Sequence, residues 1–241
     1  MDTSRKISDH HDKQMIGPMF DSIAWRYDFL NHLLSLGIDR SWRKKAIRII
    51  GESQRNPRII DVATGTGDLA IEAASLDPVA ITGIDISEKM LELAKRKAEA
   101  EGLSKLIEFK KCESENICFE DNSFDVAMVA FGVRNFSDPM KGLTEMGRVL
   151  CKGGFIMVLE FSRPDGTFFK HIYELYFHNI LPSIGGLFSK NRKAYKYLNE
   201  SVMKFPDNED FLALLKKSGF SEVKQRKLTK GIASIYTGIK V

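Results

Sequence analysis

The sequence predicts an α/β protein with a mostly parallel sheet of seven strands, helices on both faces and a closing antiparallel hairpin. The first observation is a strand, a glycine turn and the start of a helix within residues 58–76. The second is that apolar, strand-like runs alternate with amphipathic helical segments as far as residue 161. The third is a pair of alternating runs at the C-terminal end, separated only by Lys230 and Gly231. So short a link forces antiparallel pairing.

The glycine turn is the centre of this arrangement. An apolar run ends at Asp61, a turn formed by Gly65, Thr66 and Gly67 follows, and residues 69–76 are apolar at helical spacing. Glycine permits the torsions of a tight turn and lets the backbone approach a ligand closely. The helix behind it directs its free N–H groups and its positive dipole end at the same point. The turn therefore predicts a binding site.

A second apolar run, residues 79–86, carries Asp85 at its C-terminal end. Adjacent strand ends of a parallel sheet face one crevice, so Asp85 is expected beside the glycine turn, where it could accept both hydroxyls of a ribose. This predicts an adenosine-containing cofactor. The glycines alone fit a dinucleotide loop, a methyltransferase loop or a turn that needs glycine only for steric reasons. Asp61 suits a cationic sulfonium and amino group better than a pyrophosphate.

The composition is that of an ordinary globular chain of 241 residues, 43% hydrophobic and 28% charged, which predicts one α/β domain with extensions. A net charge of +4, from 36 basic and 32 acidic residues, does not indicate nucleic acid. The three cysteines show no metal-ligand spacing, so we expect buried free thiols of a reducing cytosol and no metal site. Because no signal peptide or membrane-spanning run stands out, we predict a cytoplasmic protein.

Residues 1–18 are predicted to be a flexible N-terminus, followed by a single domain over residues 19–241. Residues 19–57 have apolar residues at helical spacing, with a break near Gly37. We predict a helical lid over the carboxyl edge of the sheet, which would bring Tyr27 towards a substrate. The alternative is that the aromatic residues of this segment only pack a helix onto the core.

Predicted strands and helices continue to alternate through the middle of the chain. Ser87 is a predicted helix N-cap, with Gly102 as the stop. Residues 107–112 and 124–131 form the third and fourth strands, the latter apolar throughout as in a strand covered on both faces. A helix over about 138–150, a stop at Lys152-Gly153-Gly154 and a fifth strand over 155–161 follow.

Two further features lie after strand ends. Arg134 and Asn135 follow the fourth strand, in the kind of loop where open α/β sheets place their chemistry. Residues 163–205 form an aromatic insertion, predicted to be helical and to lie over the substrate cleft. A membrane-facing patch and an amphipathic helix that merely packs on the domain are the alternatives.

Five strand-helix units and a terminal antiparallel hairpin resemble the class I, Rossmann-like fold of methyltransferases that depend on S-adenosylmethionine (SAM). A purely parallel dinucleotide domain lacks such a hairpin. Several segments also resemble successive signatures of the UbiE/MenG family of quinone-biosynthesis C-methyltransferases. They are FDSIAWRYDFLN, GIDRSWR, DVATGTGDLA, DNSFD, FGVRNFSD, RVLCKGG, LEFSRP and FHNILPSIG. The resemblance covers residues 19–241, and FGVRNF and LEFSRP are far more specific than the glycine turn.

The resemblance implies SAM as the cofactor. With the residues of the turn, the predicted cofactor-binding set is Gly65, Thr66, Gly67, Asp85, Glu113 and Ser114. The family commonly has Asn-Ala or Asp-Ala at positions 113–114, and sometimes a serine where Ala130 stands. Glu113 could still accept a hydrogen bond from the adenine amine.

The resemblance also implies a polyprenylated demethylquinol as the substrate, with demethylmenaquinol preferred and benzoquinols left open. Methylation of a ring carbon needs a carbon nucleophile, which a hydroquinone becomes when a hydroxyl loses its proton. No histidine or carboxylate stands beside Arg134 in its loop, so Arg134 is predicted to stabilise the quinolate or to act on an ordered water. Asn135 and Tyr27 would hold the ring hydroxyls. Asp28 and His178 are secondary candidates.

The predicted partners are the quinol and, through it, the inner face of a membrane that the chain contacts peripherally, without nucleic acid. A homodimer is one option for the oligomeric state. The alternatives in function are another small-molecule SAM-dependent methyltransferase, an NAD-binding oxidoreductase and a SAM-binding scaffold without catalysis. The terminal hairpin argues against the oxidoreductase, and Arg134 and Asn135 in their motif argue against the scaffold.

Overall fold

The computed structural model describes residue 21, residues 37–163, residue 201 and residues 205–241. The helices in these ranges are α1 (Asp39–Ser53), α2 (Asp68–Ala73), α3 (Glu88–Ala100), α4 (Pro139–Val149) and α5 (Glu209–Lys217). The strands are β1 (Arg58–Val62), β2 (Ala80–Asp85), β3 (Ile107–Lys111), β4 (Phe124–Ala130), β5 (Leu150–Phe161), β6 (Phe220–Leu228) and β7 (Ala233–Lys240). Short 3₁₀ turns lie at Ala74–Leu76, Val133–Asn135 and Thr229–Gly231.

The seven described strands form one sheet in the order β3-β2-β1-β4-β5-β7-β6. Strands β1 to β5 pair in parallel, whereas β7 runs antiparallel to both β5 and β6. The predicted seven-stranded sheet with a terminal antiparallel hairpin is therefore confirmed. The strand order reverses between β1 and β4, so their carboxyl ends flank the crevice where doubly wound folds bind ligands.

Helices cover both faces of the sheet, as predicted. One apolar cluster contains residues of α1, α2 and α3, and a second contains residues of α4 and α5. Neighbouring residues of the central strands alternate between them: Ile59 and Met128 belong to the first cluster, Ile60 and Val129 to the second. The central strands are thus buried on both sides, which explains their continuous apolar sequences.

The predicted helix boundaries of α3 are also confirmed. The hydroxyl oxygen of Ser87 accepts a hydrogen bond from the amide of Met90 at 3.2 Å, which caps α3. Gly102 follows the helix with a φ of 70°, the left-handed conformation that ends many helices. Gly37, with a φ of 76°, stands just before α1, where the break was predicted.

The glycine pair at 153–154 does not stop a helix, contrary to the prediction. Helix α4 ends at Val149 and β5 begins at once, at Leu150. Between two pairs of partners in the β4–β5 ladder, β5 has four residues and β4 has one, so β5 bulges. Gly153 has a φ of 76°, and a Cβ on Gly154 would lie 2.7 Å from the carbonyl oxygen of Cys151. The bulge, and not a helix terminus, requires these glycines.

The prediction of free thiols is confirmed, but the prediction that all three are buried is wrong. Cys112 is buried, Cys151 is half-buried and Cys118 is exposed. Burial and the neighbouring Cys118 thiol raise the pKa of Cys112 to about 12. Within the described ranges, no helix has the length and apolar character needed to cross a bilayer, and no cluster of three or more potential metal ligands occurs.

Candidate active site

The glycine turn joins β1 to α2. Gly65 and Gly67 have positive φ angles of 57° and 82°, which favour glycine. The amide of Gly67 donates to the carbonyl of Thr64 at 2.9 Å and closes the turn. A Cβ on Gly67 would lie 3.0 Å from both the Cβ of Ala94 and the ring of Phe109. Glycine at 67 is therefore explained by the backbone and by packing behind the turn, whereas Gly65 faces a cavity.

Asp85 ends β2 beside this turn, as the parallel order predicts. Its Oδ2 accepts a hydrogen bond from the amide of Gly65 at 2.9 Å, and its Oδ1 accepts one from the amide of Ser87 at 2.9 Å. Burial raises the pKa of Asp85, while the backbone amides of Ser87, Gly65 and Ile86 oppose this rise. An ionised carboxylate has about four acceptor sites, so Asp85 can hold the turn and still accept from a ligand.

Asp61 lies at the end of β1 and is 1% exposed. Its Oδ2 accepts a hydrogen bond from the hydroxyl of Thr64. Its Oδ1 is buried and has no hydrogen-bond partner of normal geometry, although the backbone amide of Ala70 lowers the pKa of the carboxyl. Burial raises the pKa of Asp61 to about 7, against the lowering effect of the Thr64 hydroxyl. A buried carboxylate oxygen without a donor is costly, and a cationic ligand group would relieve that cost.

A small cavity lies beside Asp61 and the glycine turn, at the carboxyl ends of β1 and β4. It is lined by Arg43, Asp61, Ala63, Thr64, Gly65, Thr66, Asp68, Leu69, Ala130 and Phe131. The lining therefore combines the glycine turn with the carboxylate of Asp61 and the two charged groups Arg43 and Asp68. Thr66 of the predicted cofactor set is 3% exposed and lies in this lining.

Asp68, at the start of α2, ties three helices together around the turn. It forms ion pairs with Lys97 of α3, at 2.6 Å, and with Arg43 of α1, at 3.1 Å. Arg43 also pairs with Asp39 at 2.8 Å, and Nζ of Lys97 donates to Oγ1 of Thr66 at 3.0 Å. The sequence analysis missed this network, because residues so far apart in the chain carry no common motif.

The loops after β1 and β4 approach each other unusually closely. Ala63 and Phe131 both have positive φ angles, of 53° and 55°. Neither residue is a glycine, so each conformation is strained and must be held by its surroundings. A Cβ on Gly132 would lie 2.9 Å from the Cβ of Ala63. The absence of a side chain at Gly132 therefore lets the loop that carries Arg134 pack against the loop after β1, which carries the glycine turn.

Arg134 is buried and points its guanidinium to the end of β5. Its Nη1 pairs with Oε1 of Glu160 at 2.7 Å and also donates to the carbonyl of Phe131. Its Nε is buried without a hydrogen-bond partner. Nδ2 of Asn135 donates to the same Phe131 carbonyl, at 3.4 Å. The two residues predicted to act on the substrate therefore lie together, next to a residue that lines the cavity.

Glu160 is the main residue that the sequence analysis missed. The expectation that no carboxylate stands beside Arg134 considered only the loop itself, whereas Glu160 comes from the neighbouring strand and is 0% exposed. Burial raises its pKa, and the charge of Arg134 opposes this rise. The signal was present: Glu160 is the acidic residue in the otherwise apolar run 155–161. Such a residue must have a partner inside the protein.

Glu113 and Ser114 follow Cys112 in the loop after β3, whose last residue, Lys111, pairs with Asp85. The amide of Cys112 donates to the carbonyl of Asp85 at 3.1 Å. The hydroxyl of Ser114 donates to Glu115 at 2.8 Å, and Glu115 in turn accepts from the amide of Ser137 at 2.7 Å. Glu115 therefore fixes the loop that carries the predicted adenine contacts.

Tyr27 lies outside the described residues, as do Asp28 and His178. Asp21 is described, is helical, and accepts a hydrogen bond from the hydroxyl of Ser87. Because Ser87 adjoins the end of β2, this contact places part of the predicted lid at the carboxyl edge of the sheet.

Comparison with known proteins identifies the family. The profile of the ubiE/COQ5 methyltransferase family matches residues 8–240. The chain belongs to this family. It is 51% identical to the ubiquinone/menaquinone biosynthesis C-methyltransferase UbiE of Geotalea daltonii, over 94% of this chain and 97% of that one. It is 45% identical to the demethylmenaquinone methyltransferase of Bacteroides fragilis, over 97% of this chain and 95% of that one. The predicted family is thereby confirmed.

Solved structures show the fold of this ubiE/COQ5 family member. A SAM-dependent methyltransferase from Thermotoga maritima, titled a possible histamine N-methyltransferase, has a TM-score of 0.66 and 21% identity, over 93% of this chain and 99% of that one. The [4+2]-cyclase SpnF also has a TM-score of 0.66, with 18% identity, over 94% of this chain and 95% of that one. Since these two proteins are named for different reactions, the shared architecture does not by itself define the chemistry.

Proposed function

We propose that this ubiE/COQ5 family member uses SAM to methylate a ring carbon of a polyprenylated demethylquinol, with demethylmenaquinol as its substrate. The observation that carries the proposal is the 45–51% identity, over nearly the whole chain, to enzymes named for this step in menaquinone and ubiquinone biosynthesis. Because one group of relatives is named for both quinones, a demethylated benzoquinol is the second candidate substrate.

The candidate site fits SAM. The unpartnered Oδ1 of Asp61 suits the ammonium of its methionine part, and Asp85 suits the ribose hydroxyls. The backbone of Gly65 and Thr66 borders the same cavity, and Glu113 and Ser114 lie at the next strand end for the adenine. When bound, SAM supplies an electrophilic methyl group on a sulfonium.

The protein's own residues prepare the nucleophile. A guanidinium is a planar cation with several N–H donors, so that of Arg134 can stabilise the negative charge that develops on a quinol oxygen. Asn135, on the same 3₁₀ turn, and Tyr27 of the N-terminal segment would hold the ring hydroxyls. The orientation of the ring relative to the methyl donor then contributes much of the rate.

The segments around the site complete the proposal. The part of the N-terminal segment 19–57 that precedes α1 acts as a lid, which the contact of Asp21 with Ser87 supports. Helix α1 itself packs on the sheet. The aromatic insertion, 163–205, provides an apolar wall for the isoprenoid tail and a peripheral contact with the inner face of the membrane. Arg163, the first residue of this insertion, forms an ion pair with Asp207, just after its end, which supports the two ends lying together at the edge of the sheet.

The test uses the purified chain with SAM and two chemically reduced quinols, demethylmenaquinol and a demethylated benzoquinol of equal tail length. Mass spectrometry should detect a gain of one methylene unit in the naphthoquinol and, more slowly, in the benzoquinol. Calorimetric titration with SAM and NAD in parallel distinguishes the two cofactors. SAM binding without methylation of either quinol contradicts the proposed reaction, and NAD binding without SAM binding contradicts the cofactor.

A further inference from the structure

The buried ion pair between Arg134 and Glu160 stands at the carboxyl ends of β4 and β5. Both side chains are inaccessible, with exposures of 4% and 0%. Oε1 of Glu160 accepts from Nη1 of Arg134 at 2.7 Å and from the amide of Phe161 at 2.9 Å. Its Oε2 faces the amide of Arg134 at 3.4 Å. Glu160 therefore holds both the side chain and the backbone of Arg134.

Stability alone does not account for such a pair. Removing two charges from water costs several kcal/mol for each ion, and replacing a buried pair by apolar residues is often neutral or stabilising. The location of the pair is therefore informative. Phe131, whose carbonyl accepts from Nη1 of Arg134, lines the cavity beside the glycine turn.

The contacts of Arg134 leave part of its guanidinium uncommitted. Nη1 is shared between Glu160 and the Phe131 carbonyl, and the guanidinium lies over the ring of Phe161, with 5.4 Å between Cζ and the ring centroid. Nε and Nη2 lie outside the ion pair, and Nε is buried without a partner. The guanidinium is planar, so fixing Nη1 also fixes the directions of these remaining donors.

We propose that Glu160 is a positioning residue for methyl transfer. By engaging Nη1 of Arg134, it holds the guanidinium in one orientation and leaves the donors on Nε and Nη2 for the developing quinolate oxygen. Glu160 itself touches neither the quinol nor SAM. This inference rests on the proposed function, because it assigns to Glu160 a role in the same reaction.

A purely structural brace has a different signature. If the pair only stabilised the loop after β4, its loss would lower the melting temperature and the SAM affinity, and activity would fall with the folded fraction. A positioning role acts mainly on kcat, since misplacing a group that contacts the transition state by about 1 Å can cost about 10²-fold in rate.

The experiment measures kcat, the quinol KM, SAM affinity and melting temperature for the wild type and three variants: Glu160→Gln, Arg134→Met and the double variant. Glu160→Gln should lower kcat by about tenfold or more, with SAM affinity within about twofold of the wild type. Arg134→Met should lower kcat by about 10²-fold. Because Glu160 acts through Arg134, the double variant should be no slower than Arg134→Met alone. The inference would be overturned if the two single losses in kcat multiplied in the double variant. It would also be overturned if kcat only followed the folded fraction of each variant.

Glu160→Gln leaves a buried cation without its partner and can therefore impair folding. The double variant removes both charges and provides a folded reference. Asp125→Asn is the matched control, because Asp125 forms a charge-assisted pair with Arg58 at 2.9 Å on the opposite edge of the sheet. It should lower the melting temperature without changing kcat per folded molecule. Absence of quinol methylation by the wild type contradicts the proposed function; wild-type turnover matched by Glu160→Gln contradicts only the role of Glu160.

Discussion

Asp61 shows how a single residue links burial to cofactor binding. Its pKa of about 7 reflects burial first, with smaller repulsion from Asp85 and Asp68, and the Thr64 hydroxyl opposes the shift. The folded protein therefore keeps a proton on Asp61 up to about pH 7, whereas the unfolded chain releases it near the ordinary aspartate pKa of 3.8. Between these values the native state binds more protons, so the contribution of Asp61 to stability decreases as the pH rises.

SAM affinity should follow the opposite trend. A cationic ligand prefers the ionised carboxylate, so protonation of Asp61 below about pH 7 should weaken wild-type binding by about tenfold between pH 8 and pH 6. Asp61→Asn should bind more weakly at pH 8 and show no such dependence. Calorimetry on both proteins at each pH removes the titration of SAM itself from the comparison. Parallel pH profiles in the two proteins would show that Asp61 does not face the cofactor.

Asp85 should contribute to affinity more directly. Asp85→Ala removes a charged acceptor for the ribose and should weaken SAM binding by about 1.5–3 kcal/mol. Part of this loss comes from the glycine turn, since Asp85 also holds the amide of Gly65. Asp77→Asn, at an exposed position away from the site, is the control. An unchanged dissociation constant for Asp85→Ala would rule out the ribose assignment.

Residues of the site could be predicted where a single segment of the chain contains the pattern that identifies them. The glycine turn, Asp85 and Arg134 each follow an apolar strand and could be placed at one edge of the sheet. Glu160, Arg43 and Lys97 could not be assigned, because their roles depend on partners that the fold brings from other elements. Tyr27 stays a prediction. The assignment of Thr66, Glu113 and Ser114 to the cofactor also stays a prediction, although the structure shows where they lie.

At the scale of elements, the β1–α2 turn depends on its packing against α3 and β3. Gly67→Val must adopt a φ of 82° and also contact Ala94 and Phe109 at about 3.0 Å. A left-handed conformation alone costs about 1–2 kcal/mol. Gly102→Val has the same unfavourable left-handed backbone but no steric clash, since nothing lies within 4 Å of its Cβ position.

Gly67→Val should therefore lower the melting temperature more than Gly102→Val does, and it alone should weaken SAM binding. Thermal denaturation and calorimetry on the two variants test this. Normal SAM affinity in a folded Gly67→Val protein would mean that the cofactor does not depend on this turn.

The periodicity of apolar residues predicted which segments are helices and which are strands, but it did not predict the junction between α4 and β5. The glycines at 153–154 indicated a helix stop, since glycine commonly ends helices. The structure uses them in a bulge of β5, where the residues opposite them belong to β4. A local pattern cannot distinguish these cases, because the bulge is defined by pairing with another strand.

At the scale of the whole molecule, the ion pair of Arg163 and Asp207 joins the chain at the two ends of the predicted aromatic insertion. Burial by itself would raise the pKa of Asp207. The hydrogen bonds from Arg163 outweigh this effect and hold the pKa below its usual value. The pair joins the end of β5 to the start of α5, so Arg163 and Asp207 lie together at the carboxyl edge of the sheet. The extent of the lid and of the insertion stays a prediction.

Membrane association is expected to be weak and reversible, because the proposed substrate partitions into lipid. Sedimentation with liposomes should recover a fraction of the protein, and more when the liposomes contain demethylmenaquinol. Complete absence from the pellet, with and without quinol, would contradict a peripheral contact.

The insertion itself can be tested by comparing two substrates. If it forms the wall for the isoprenoid tail, charged replacements such as Phe169→Asp and Tyr176→Asp should raise KM for a long-chain demethylquinol far more than for a tail-less analogue. Tail burial contributes about 0.8 kcal/mol for each buried methylene group, so losing even a few such contacts should raise KM by tenfold or more. Val79→Asp, at a position 66% exposed on the sheet domain, controls for added surface charge. Steady-state kinetics with both substrates decide the matter, since equal increases in KM would mean that these aromatic residues only pack the insertion onto the domain.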